Sequence, residues 1–120
     1  MNDHPGPEQI EELRCDLLAL RDEAQSQIAG NPDSTEPMGT DDTSGRVAHM
    51  DAIQRHEMAA AERRRLENRL RLVEKALQRL RDGEYGFCVR CEGEIGFGRL
   101  KARPECPVCI RCQAQIESQR

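Results

Sequence analysis

The stretch "YGFCVRCEGEIGFGRLKARPECPVCIRC", Tyr85 to Cys112, holds five of the six cysteines in a chain of 120 residues. Two C-x-x-C pairs stand out, Cys88–Cys91 and Cys109–Cys112, with 17 residues between them. Zinc takes four soft ligands in a tetrahedron, and two such knuckles on separate loops supply all four and leave no position open. The pattern therefore predicts one Zn2+ held by Cys88, Cys91, Cys109 and Cys112, structural rather than catalytic. A redox pair of the thioredoxin kind would need a strand–helix–strand setting, which the flanking residues do not suggest. Arg90 and Arg111, one inside each knuckle, either offset the charge of four thiolates or face solvent.

Between the knuckles, Gly93, Gly96, Gly98, Pro104 and Pro107 predict turns, with room for two short strands and no core. Such a segment should be unfolded without its metal, because binding the ion supplies the folding free energy. Cys106 is the odd thiol. It reads as a packing residue in a turn, as a substitute ligand (Cys106-Pro-Val-Cys109 is itself a C-x-x-C), or as a redox sensor. Cys15, far upstream, reads as a small hydrophobe at a helix interface.

Working outward, Leu66, Leu70, Val73, Leu77 and Leu80 repeat at 4–3–4–3, the seam spacing of a coiled coil. They predict one long helix from about Arg46 to Asp82, ended by Gly83. Val47, Met50, Ile53, Met58 and Ala61 continue it as a weaker, shifted stripe. Upstream, Ile10, Leu13, Leu17, Leu20, Ala24 and Ile28 form the single apolar row of a helix that starts beside Pro7 and stops at Gly30-Asn31-Pro32. Residues 30–45, GNPDSTEPMGTDDTSG, break the pattern, and a structureless loop of that length is usually functional or mobile. The expected organisation is a flexible arm over 1–7, a coiled-coil hairpin over 8–82 with a tip loop at 30–45, and a zinc-finger domain with a C-terminal helix over 83–120. The fold class is mainly α: an antiparallel coiled-coil helical hairpin joined to a small four-cysteine zinc-finger globule with a C-terminal helix. A monomer is expected, although two long helices could also pair with a second chain.

Composition agrees with this. Three aromatic residues, no Trp and 37% hydrophobic content cannot build a thick core. No apolar run nears the roughly 20 residues of a membrane span, and the acidic start MNDHPGPEQIEEL lacks the parts of a signal peptide. A reducing cytoplasm is thus expected, where paired cysteines favour metal over disulfides. Charge is uneven: residues 1–45 hold eleven acids against two arginines, and residues 46–120 hold sixteen bases against eleven acids. With a pI of about 5.4, sequence-specific DNA binding is not expected, since DNA-binding domains are usually strongly basic. An enzyme is not expected either. The metal site is closed, and His4, His49 and His56 form no constellation with a nucleophile.

The stretch "EYGFCVRCEGEIGFGRLKARP" resembles the DksA/TraR family of bacterial transcription regulators in its aromatic-Gly-aromatic-Cys lead-in, its "EIG…RL.ARP" linker and the separation of its knuckles. The upstream helices resemble the family in periodicity and length. The resemblance implies a regulator that binds RNA polymerase through the secondary channel, without DNA contact or membrane, its globule at the channel rim and acidic side chains at the hairpin tip. The family's tip motif, two aspartates three apart with alanine two residues later, falls on Gly45, Ala48 and Met50 here. The acids near it are Asp41, Asp42 and Asp51. Two lysines that the family uses to hold ppGpp fall on Leu72 and Gln113, while Arg65 keeps one basic position, so ppGpp dependence is not carried over. A zinc-stapled adaptor for a different protein is the alternative reading.

Overall fold

The computed structural model describes residues 4–30 and 46–119, with the side chains of 46–48 excepted. The tip loop expected at 30–45 falls, apart from Gly30, outside the described residues, as do Asp41 and Asp42. Four helices are seen in chain order among the described residues: α1 (Pro7–Ala29), α2 (Arg46–Asp82), α3 (Phe97–Ala102) and α4 (Ile110–Ser118).

The ends of the first two helices follow from local chemistry. Pro7 occupies the first turn of α1, where a missing N–H costs nothing. The backbone N–H of Gly6 donates to Gln9 Oε1 at 3.0 Å, tying the entering chain to that turn. At the other end of the pair, Gly83 adopts φ 76°. Its N–H donates to Leu80 O at 3.2 Å, and that of Glu84 reaches back to Arg79 O at 2.8 Å. These two hydrogen bonds close α2 and need a residue at ease in left-handed backbone, which glycine is.

The two helices pack antiparallel, with Ile10 and Arg14 near the start of α1 beside Leu77 and Leu80 near the end of α2. Leu13, Leu17 and Ala24 are buried on α1; Leu66, Val73 and Leu77 are buried on α2, with Leu70 and Leu80 half-buried. The seam read from the leucine spacing is therefore the packed face, and each fully buried leucine contributes about 1.5–3 kcal/mol. At 37 residues, α2 is about 55 Å long against about 35 Å for α1. Its N-terminal half leaves Met50 59% and Met58 71% exposed.

Four expectations need correction. Cys15 is exposed, not at the helix interface. It lies two residues from both Leu13 and Leu17, hence about 200° around the helix from the buried row. The segment between the knuckles does not form two strands. It has one antiparallel bridge, Phe87 with Glu94, followed by α3. Nor is that segment without a core: Leu100 of α3 is 0% exposed and sits among Leu13, Leu17, Val73, Leu77 and Tyr85. Finally, His4 and Pro5, read as part of a loose arm, lie against the globule, where the His4 ring stacks on Phe87 with centroids 4.6 Å apart.

Candidate metal centre

Each knuckle is built by a short turn. In the first, Cys88 N–H donates to Gly93 O at 2.7 Å and Glu92 N–H to Cys88 O at 2.9 Å, folding residues 88–93 back on themselves. Glu92 takes φ 65° to complete that turn, a left-handed conformation uncommon for a residue with a side chain. In the second, Cys109 caps α4 and Cys112 lies in its first turn, so the helix start itself sets the separation of the two thiols. Val89 N–H, donating to Pro107 O at 2.9 Å, and Arg90 Nη1, donating to Cys112 O at 3.4 Å, join one knuckle to the other.

The sulfur atoms of Cys88, Cys91, Cys109 and Cys112 all lie within 4.8 Å of one another, and Cys91 and Cys109 are 3.7 Å apart. Four sulfurs around one zinc at about 2.3 Å would be about 3.8 Å apart. The donor set, four thiols on two rigid turns, fits that ion.

The electrostatics fit as well. Burial pushes the Cys88 thiol up, but the backbone N–H groups of Cys91, Cys109 and Arg90 outweigh it and bring the pKa down to about 6. The Cys112 N–H likewise holds the Cys109 thiol below its ordinary value. Cys112 goes the other way, pushed up to about 12 by burial and then by the neighbouring thiols. Four thiolates cannot share so small a space unaided, and a bound divalent cation reverses that balance by deprotonating its ligands.

Cys106 stands outside this cluster. It is 6% exposed and packs with Val73, Ala76, Leu77 and Tyr85, against the hairpin. Burial raises its thiol above the ordinary value, which suits a packing residue. Arg111 is exposed and Arg90 reaches the carbonyl of Cys112.

Several residues outside the cysteine pattern join globule to hairpin. Glu105 is 3% exposed and pairs with Arg69 of α2 at 3.4 Å and with Arg103 at 3.9 Å. Tyr85 donates its hydroxyl to Pro104 O at 2.8 Å. Lys101 of α3 pairs with Glu12 and with Asp16 of α1, the latter at 2.9 Å. Arg79 donates to Glu84 O at 3.0 Å and Phe87 O at 2.9 Å. On the far side of α2 the globule leaves a cleft of about 460 Å³, lined by Leu72, Ala76, Val89, Ile95 and Pro107 and edged by Lys75 and Arg79. Asp51, in the second turn of α2, is exposed and remote from the metal cluster in sequence. No helix among the described residues is long and apolar enough to cross a membrane.

A helical hairpin fixed to a small globule with four converging cysteines defines the class of protein: a C4-type zinc finger carried on a coiled coil. Residues 83–118 match the prokaryotic dksA/traR C4-type zinc finger family. The RNA polymerase-binding transcription factor DksA of Salmonella typhimurium is 29% identical over 117 residues, covering 94% of this chain and 78% of that one. Its namesake in Escherichia coli K12 is 27% identical over the same shares. Among solved structures, transcription factor DksA2 from Pseudomonas aeruginosa superposes with a TM-score of 0.74 at 26% identity, over 94% of this chain and 86% of that one. The chain is thus similar to these DksA proteins along 94% of its length, and the match to the dksA/traR C4-type zinc finger is confined to residues 83–118. One structural zinc ion goes with its globule.

Proposed function

We propose that this chain binds RNA polymerase in the cytoplasm and regulates transcription initiation without catalysing a reaction. The observation that carries the reading is that relatives named RNA polymerase-binding transcription factors align along 94% of the chain, hairpin and globule together. Cys88, Cys91, Cys109 and Cys112 are the zinc ligands in this reading, and the ion fixes the two knuckles without taking part in chemistry. The base of the hairpin offers a surface for a protein partner in the apolar cleft edged by Lys75 and Arg79.

The hairpin then enters the polymerase secondary channel tip first. Asp51 is exposed near the start of α2, and with Asp41 and Asp42 it makes up the acidic tip. In a narrow channel of low effective dielectric, a carboxylate alters local electrostatics more than it does in bulk water. Of the positions bearing on ppGpp, Arg65 is exposed, while Leu72 and Gln113 are half-buried and uncharged. The reading accordingly includes no ppGpp dependence. The protein acts as a monomer.

Co-purification with RNA polymerase tests the partner, and crosslinking from a photoreactive residue at position 51 tests the route. Crosslinks to channel-lining segments are expected. Capture of the polymerase with crosslinks only on its outer surface would reject the channel, and absence of polymerase would reject the partner.

A further inference from the structure

The segment just ahead of α1 does more than lead into a helix. His4 stacks on Phe87 with 14° between the ring planes. Pro5 is buried beside it. The fit is close enough that a Cβ on Gly86 would come within 2.8 Å of His4 Cε1 and 3.6 Å of Pro5 Cδ. Gly86 is thus a seat for the imidazole, and its φ of 97° adds a second reason for glycine there.

That seat belongs to the first zinc knuckle. Phe87 forms the bridge with Glu94. Gly86 O accepts from Ile95 N–H at 2.9 Å, while Cys88, adjacent to Phe87, closes the turn on Gly93. Phe87 O is also held by Arg79 of α2. On the other side, two residues after His4, Gly6 is bonded to Gln9 in the first turn of α1. An unbroken path of contacts therefore runs from the metal knuckle through Phe87, His4 and Gly6 into α1.

We propose that the His4–Pro5 segment is a strap coupling the first zinc knuckle to the start of α1, so that zinc occupancy and the docking of α1 stabilise each other. The physical basis is linkage. A knuckle without metal loses what fixes its turn, the Phe87–Glu94 bridge loosens, and the ring on which His4 rests is no longer held in place. Reciprocally, a strap bound only to the ordered knuckle favours the metal-bound form by the same factor.

Two variants of the full chain, His4→Ala and His4→Phe, test this through two readouts. One is the rate of zinc transfer to a colorimetric chelator. The other is amide hydrogen exchange over residues 8–14, with and without zinc. One stacked aromatic pair corresponds to roughly a two- to tenfold change in an equilibrium. His4→Ala should release zinc faster by about that factor and expose the first turn of α1 to exchange while zinc is still bound. His4→Phe, which keeps a ring on Phe87, should restore both. Unchanged release and unchanged exchange in His4→Ala would overturn the coupling. A His4→Phe variant as loose as His4→Ala would overturn ring stacking as its means.

Discussion

Leu100 is the residue on which the union of globule and hairpin most depends, and Leu100→Ala measures that union. It is 0% exposed on a six-residue helix that contacts α1, and it shares one buried cluster with Leu13 and Leu17 of α1, Val73 and Leu77 of α2, and Tyr85. The change removes three carbons, a transfer contribution of about 2.4 kcal/mol at about 0.8 kcal/mol each. Because that cluster draws side chains from α1, α2 and the globule, the shift of a single element should not close the cavity. The loss should fall in the upper half of the roughly 2–5 kcal/mol known for Leu→Ala, at about 4 kcal/mol. At roughly 4 °C per kcal/mol for a chain of this size, the melting temperature should drop by about 15 °C. Thermal unfolding followed by circular dichroism at constant zinc is the assay, with Ile110→Ala, at a position 69% exposed, as the control expected to stay within about 0.5 kcal/mol of the parent. A Leu100→Ala variant that melts with the control would mean that α3 does not share the hairpin's core.

Replacing Cys88 by Ser should lose the ion and unfold residues 83–118, whereas Cys106→Ser should retain full zinc by elemental analysis; the opposite pattern would reverse the ligand assignment. Tyr85→Phe removes the bond to Pro104 O and leaves that carbonyl unpaired, at a cost of about 1–3 kcal/mol in denaturant unfolding. Burial also raises the Tyr85 phenol above its ordinary value, so its contribution is present below the unfolded value of about 10 and lost as pH rises beyond it. Above a pH of about 10 the parent should lose stability more steeply than Tyr85→Phe, by up to about 1.4 kcal/mol per pH unit, and parallel curves would contradict this. Among Asp41→Asn, Asp42→Asn and Asp51→Asn, at least one should still bind polymerase yet no longer change promoter output, and full activity in all three would dismiss the acidic tip.

Much of this protein is decided locally and is therefore legible in the chain. The leucine repeat from Leu66 to Leu80 selects a helix and its buried face, because an apolar row at that spacing has no other way to leave water. The two C-x-x-C pairs select a metal, because their spacing alone puts two thiols on each turn. Breakers at Gly30 and Gly83 then delimit the helices. What the chain could not state is where remote residues meet. Cys106 has the same local pattern as a ligand, and only the packing of its turn against Val73 and Leu77 makes it a core residue. The α3 segment is six residues long, too short to show a period, and it becomes a helix with a buried Leu100 because the hairpin base offers an apolar hollow for it. Glu105 reads as a surface acid until Arg69, 36 positions earlier, is brought beside it. His4 reads as part of a loose arm until the knuckle supplies Phe87 to stack on and a glycine with no Cβ in the way. Periodicity and ligand spacing are encoded by neighbours along the chain, whereas these pairings arise only where the globule and the hairpin close on one another.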